Sequence, residues 1–114
     1  MKSPSVTLII SFYNKIGLLQ RVLESVSLQT FRDFEVIIAD DGSTQDVVEK
    51  INHLRSTYRF PIHHVWHEDK GWRKNQILNK AIKASKGEYL VFIDGDCLLE
   101  RLFLEVYFSQ RSLG

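Results

Sequence analysis

Two stretches of this chain, Val6 to Ser11 and Phe34 to Ala39, are apolar at nearly every position rather than at every second one. A strand with one wet face alternates; a strand covered on both faces does not. Both runs therefore read as buried strands. A shorter strand, Ile62 to His67, follows the break at Pro61, and a fourth, Glu88 to Ile93, follows Lys86-Gly87. Helical spacing fills the gaps between them. Ile16, Leu18, Leu19, Val22, Leu23 and Val26 form one stripe, with Asn14 placed to cap it. Val47, Val48, Ile51, Leu54 and Tyr58 form a second, after Ser43 and Thr44 as caps. Ile77, Leu78, Ala81 and Ile82 form a third, stopped at Lys86-Gly87, and Leu99, Leu102, Phe103, Val106 and Tyr107 a fourth. The order β-α-β-α-β-α-β-α predicts an α/β fold, a mostly parallel sheet with alternating helices, in a single domain spanning residues 1–114.

Ligands of such sheets bind at the carboxyl ends of the strands. Ser11 to Asn14, Asp40 to Ser43, His67 to Trp72 and Asp94 to Asp96 all fall there. Four separated polar segments thus converge on one rim. Asp94-Gly95-Asp96 alone is an ordinary turn sequence. At the mouth of a buried strand, two crowded carboxylates call for a cation or a hydrogen-bonding ligand, and Mg2+ or Mn2+ takes oxygen ligands together with substrate phosphates. Of Asp40 and Asp41, one acid suffices to cap the following helix; the other is left to accept a base N–H or a sugar hydroxyl. Tyr13 and Trp72 offer flat faces to a nucleobase, and Arg73 and Lys74 offer charge to phosphates. For each of these the plain alternative is packing or a solvated surface.

Other chemistries are disfavoured. A net charge of +1 with no basic run argues against nucleic acid or an acidic membrane as partner. One cysteine, Cys97, excludes an internal disulfide, fits a cytoplasmic location and reads as an inert buried thiol. His63, His64 and His67 alternate between sheet faces, which argues against a histidine metal cluster. Leu98 and Leu99 stand where a calcium loop needs a ligand and a glycine. No G-x-G-x-x-G or P-loop follows any strand. Receiver-type phosphotransfer domains need an acid after the first strand, where this chain has Ser11-Phe12-Tyr13-Asn14.

The segments V-T-L-I-I-S-F-Y-N-K, L-E-S-V-S-L-Q-T-F-R-D-F-E-V-I-I-A-D-D-G-S-T and G-W-R-K-N-Q-I-L-N-K-A-I-K-A-S-K-G-E-Y-L-V-F-I-D-G-D-C resemble, in order, those of family 2 glycosyltransferases with the GT-A nucleotide-sugar-binding fold. Bacterial polysaccharide or capsule-type members look nearest. The resemblance implies a UDP-sugar donor, a Mn2+ or Mg2+ cofactor and a glycan acceptor. It implies that Ser11 and Tyr13 hold the base, that Asp41 bonds the uracil ring, that Asp94 lies near the ribose, that Asp96 meets the metal, and that Arg73 contacts the nucleotide. Only 18 residues follow Asp96, and Glu100 and Glu105 among them match no family motif. The expectation is therefore a donor-binding half without its catalytic base or acceptor half, inactive by itself and prone to self-association. The rival reading is a non-catalytic nucleotide-binding or interaction fragment.

Overall fold

The computed structural model of the chain describes residues 3–68 and 74–110. Its elements are β1 (Val6–Phe12), α1 (Ile16–Ser27), β2 (Phe34–Asp40), α2 (Gln45–Arg55), β3 (Ile62–Trp66), α3 (Lys74–Ala84), β4 (Tyr89–Asp94) and α4 (Phe103–Ser109). The four strands form one parallel sheet in the order β3-β2-β1-β4. The chain steps outward from β1 to β2 to β3, then returns across the sheet to place β4 on the other side of β1. The strand order therefore reverses between β1 and β4, which makes their carboxyl ends a topological switch point.

Alternation within the strands divides the core. Leu8, Ile10, Phe12, Val36 and Ile38 face the larger cluster, with Leu19, Val22, Leu23 and Val26 of α1 and Ile51 of α2. Ile9, Ile37 and Ala39 face the other way, onto Ile77 and Ala81 of α3. The expectation of burial on both faces holds for β1 and β2, but β4 buries only one. Val91 and Ile93 enter the larger core, while Phe92 is half-exposed. The cause is placement: α3 packs on β1, β2 and β3.

The acid near the start of β2 is satisfied. Glu35 is buried and accepts from the Thr7 hydroxyl (2.6 Å) and the Lys86 N–H (2.7 Å), with His63 Nε2 at 3.3 Å. A buried carboxylate left without donors would cost several kcal/mol, so this network locks the amino-terminal edge of the sheet to the α3–β4 connection.

The fourth helical stripe is a partial miss. Leu99 is buried as expected, but it precedes the helix. Within α4 it is Leu104 that enters the core, with Phe103 and Phe108 packed beside it, while Leu102, Val106 and Tyr107 stay substantially exposed. The buried Gln29 fixes this orientation. Its side chain donates to the Glu100 carbonyl (2.7 Å) and accepts the Leu104 N–H (2.9 Å), one of the orphan donors of a helix start.

Candidate functional site

The site begins with the register of β1. Ser11 lies beside Ala39 of β2 on one side and beside Asp94 of β4 on the other. Ser11 and Asp94 are thus neighbours at the switch point. A cleft of about 650 Å³ opens there, lined by Ser11, Leu78, Phe92, Asp94, Asp96 and Cys97 among others. A second cleft of about 290 Å³ runs toward the start of α1, lined by Ser11, Tyr13, Lys15, Leu18, Gly95 and Asp96. Ser11 and Asp96 border both. Four of the expected residues, Ser11, Tyr13, Asp94 and Asp96, are therefore brought together, and Tyr13 is nearly half exposed there.

Gly95 makes this junction possible. A Cβ at its position would lie 2.7 Å from the Ser11 carbonyl oxygen. Only glycine lets the turn after β4 sit this close to β1. Cys97 follows on the same turn, its N–H donating to the Asp94 carbonyl at 3.0 Å. The buried thiol expected from its residue type is wrong: Cys97 is exposed, because the turn carries it onto the rim rather than into the core.

Asp40 and Asp41 have different jobs. Asp40 continues the inward phase of Val36 and Ile38 and is wholly buried. It accepts from the Ser43 N–H (2.9 Å) and hydroxyl (2.6 Å), and His64 Nε2 lies 2.8 Å away. It is the structural acid of the pair. Asp41 turns the other way, its side chain about a fifth exposed, with His67 Nε2 at 2.5 Å from Oδ1. Its own N–H donates to the Phe12 carbonyl at 3.0 Å, which ties it to the end of β1. Gly42, at φ 99°, then reverses the chain into the Ser43 turn.

Asn14 does not cap its own helix. It sits at φ 56°, and its Oδ1 accepts the Thr44 N–H at 2.9 Å, while its N–H donates to Ser43 Oγ at 2.8 Å. The α1 N-cap position falls to Lys15, without a side-chain bond. Nor does the Thr44 side chain cap a backbone N–H of the helix it precedes: its hydroxyl donates to the Asp46 carboxylate, and that bond is the largest cause holding the Asp46 carboxyl below its usual range. The loops after β1 and β2 are thus laced into one platform.

The three histidines each pair with a separate carboxylate: His63 with Glu35, His64 with Asp40, His67 with Asp41. Among the described residues no group of three or more His, Cys, Asp or Glu is placed to hold a metal ion. Asp94 and Asp96 suit instead an ion completed by ligand phosphates, since Mg2+ and Mn2+ use one or two carboxylates in such sites. Arg73, Trp72 and the other residues of 69–73 lie outside the described residues. The contribution of His67 was not anticipated; the signal for it is that β3 pairs beside β2, with Trp66 opposite Asp40, so the next residues of the two strands adjoin. Among the described residues no helix is long and apolar enough to cross a membrane.

Comparison with known proteins agrees with this fold. The sequence model of "Glycosyl transferase family 2" matches residues 7–108. An uncharacterized glycosyltransferase of Rickettsia bellii is 33% identical over 114 residues, covering 98% of this chain and 16% of the relative. The structure of S. aureus TarS 1-349 in complex with UDP-GlcNAc superposes with a TM-score of 0.76 at 22% identity, covering 96% of this chain and 31% of that one, a likeness of fold. The mannosyltransferase PcManGT of Pyrobaculum calidifontis, in complex with GDP-Man and Mn2+, gives a TM-score of 0.73 at 28% identity, covering 86% and 29%. This chain thus spans less than a third of the length of each of these proteins. With a match over nearly its whole length, the chain belongs to glycosyl transferase family 2.

Proposed function

We propose that this chain binds a nucleotide-sugar donor, UDP-linked, at the switch point between β1 and β4, and supplies the donor-binding part of a sugar transfer in glycan or polysaccharide biosynthesis. The observation that carries the reading is the register pair Ser11–Asp94 with Asp96 bordering both adjoining clefts. Tyr13 offers its ring to the base, and Asp41 accepts the uracil N3–H. Ser11 and Asp94 would meet the nucleoside, Arg73 the nucleotide, and Asp96 would hold a Mn2+ or Mg2+ ion. When bound, such an ion offsets the charge that grows on the leaving diphosphate. TarS with UDP-GlcNAc and PcManGT with GDP-Man and Mn2+ support a donor of this class and a divalent ion.

We assign no catalytic base to this chain. Glu100 lines a different cleft, with Tyr89, Leu102, Phe103 and Val106. The expected behaviour is donor binding without transfer. The test is titration with UDP, with and without Mn2+, against GDP and CMP. UDP should bind more tightly with the ion, and Asp96→Ala should abolish most of that gain. Equal UDP affinity with and without Mn2+, unchanged in Asp96→Ala, would remove the metal role. Acceptor-dependent release of UDP from UDP-sugars would show that the chain carries a base.

A further inference from the structure

We infer that His67 is the positioning residue that sets the pyrimidine preference of the site, by holding the Asp41 carboxylate in one orientation; this rests on the reading of Asp41 as the base-binding acid. His67 is buried, and its Nε2 lies 2.5 Å from Asp41 Oδ1. A carboxylate oxygen at this contact accepts, so Nε2 carries the hydrogen. The backbone of Asp41 is already fixed, by its N–H bond to the Phe12 carbonyl and by the Gly42-Ser43 turn that Asp40 braces. What remains to be set is the rotation of the side chain. The bond from His67 sets it, and directs Oδ2 as the acceptor for a base.

That orientation matters because the two pyrimidines present opposite edges. Uracil carries a hydrogen at N3; cytosine carries a lone pair there and an amino group at C4. A carboxylate fixed to meet N3–H rejects cytosine, because its lone pair then faces an acceptor. A carboxylate free to rotate can turn to the cytosine amino group instead. Loss of His67 should therefore erode discrimination more than affinity. The neighbouring pair makes the contrast: Asp40 is also bonded to a histidine, but it is wholly buried and holds two Ser43 donors as well. Of the two, Asp41 alone keeps both a fixing partner and an exposed portion.

The experiment is calorimetric titration of the full chain with UDP and with CDP in Mn2+, for the wild type, His67→Ala, His67→Gln, Asp41→Ala and the His67→Ala/Asp41→Ala double variant. Glutamine returns an N–H donor at similar reach. The wild type should prefer UDP. His67→Ala should lose about tenfold of that preference, the scale of one well-oriented bond to a charged group. His67→Gln should recover most of it, and His67→Ala should change nothing further in the Asp41→Ala background. A full preference in His67→Ala, no rescue by glutamine, or a further loss in the double variant overturns the proposal while the base-site reading stands. Equal binding of UDP and CDP by the wild type, or no UDP binding, overturns that reading and the proposal together. Should His67→Ala not fold, long-range 15N–1H correlation on the wild type decides the geometry: a hydrogen on Nε2 is expected, and a bare Nε2 overturns it.

Discussion

Asp40→Ala and Asp41→Ala, one residue apart, should give opposite phenotypes. Asp40 is fully buried and accepts from the Ser43 N–H, the Ser43 hydroxyl and His64 Nε2, whose ring is itself buried. Alanine removes all of these acceptors at once. The Ser43 hydroxyl can turn elsewhere; the Ser43 N–H cannot, and the buried His64 Nε2 is left without this partner in either tautomer. Each buried donor left unmet costs about 1–3 kcal/mol, so the variant should lose about 3–5 kcal/mol. That is a large share of the roughly 5–15 kcal/mol typical of a domain. With a urea dependence of about 1–3 kcal/mol per molar, the unfolding midpoint should fall by about 2 M. Asp40→Asn should cost less, because the amide keeps an oxygen for Ser43 and the His64 ring can present its other tautomer. Asp41→Ala should shift the midpoint less, since it strands one buried donor, His67 Nε2, at about 1–3 kcal/mol, rather than two. It should instead weaken UDP binding about tenfold, by loss of the bond to N3–H. Urea unfolding followed by far-UV dichroism, with UDP calorimetry on the same samples, reads both axes. A midpoint for Asp40→Ala within 0.5 M or so of wild type would refute the buried-donor reasoning, and matching phenotypes for the two variants would refute the division of labour.

Other outcomes follow from the same structure. Gly95→Ala forces a Cβ to 2.7 Å from the Ser11 carbonyl; overpacking of this kind costs about 1–3 kcal/mol, and differential scanning calorimetry should show the loss together with a weakened Mn2+ effect on UDP binding. Cys97 is exposed and lines the cleft with Asp94 and Asp96, so UDP with Mn2+ should slow its alkylation by iodoacetamide, measured by intact mass; an unchanged rate would place the donor elsewhere. Tyr58 donates to Glu24 at 2.8 Å, and burial together with that carboxylate pushes its hydroxyl up to about 12. The folded state thus keeps a proton that the unfolded chain releases near 10, so this contribution is complete below pH 10 and lost as pH rises to about 12; Tyr58→Phe should flatten the stability profile across that window. β4 ends the sheet order, Phe92 is half-exposed on it, and Leu98, Val106 and Tyr107 are exposed nearby in sequence; an open edge with apolar surface invites pairing between copies, so sedimentation should show concentration-dependent association, and a monomer throughout would refute it.

Much of the architecture was legible because period and burial follow from the same residues. Leu19, Val22, Leu23 and Val26 recur at helical spacing and all four are buried in α1. Leu18 shares the stripe yet remains exposed, since α1 turns that edge toward the cleft with Lys15 and Tyr13. Around α4 the limit is different. Apolar residues stand on both sides of the helix, and spacing cannot say which side meets the core; Gln29, distant in sequence, decides it through Glu100 and Leu104. The exposed Cys97 marks another limit, because residue type sets a tendency to burial and the turn after β4 overrides it. Asp40, in contrast, could have been separated from Asp41 beforehand: it keeps the two-residue phase of Val36 and Ile38, and Asp41 breaks it.

The candidate site was legible only as a list of strand ends, because alternation along the chain does not say which strands are neighbours. The order β3-β2-β1-β4 turns that list into pairs. It sets the end of β1 against the end of β4, which joins Ser11 to Asp94 and brings Asp96 to the same clefts. It sets the end of β2 against the end of β3, which joins Asp41 to His67. The first pair lies where the order reverses and helices diverge, so space opens for a ligand. The second lies where two strands that succeed one another in sequence are paired, so their ends adjoin and a side chain can be braced. On the proposed reading, the open region seats the diphosphate and the braced region meets the base, one on either side of β1.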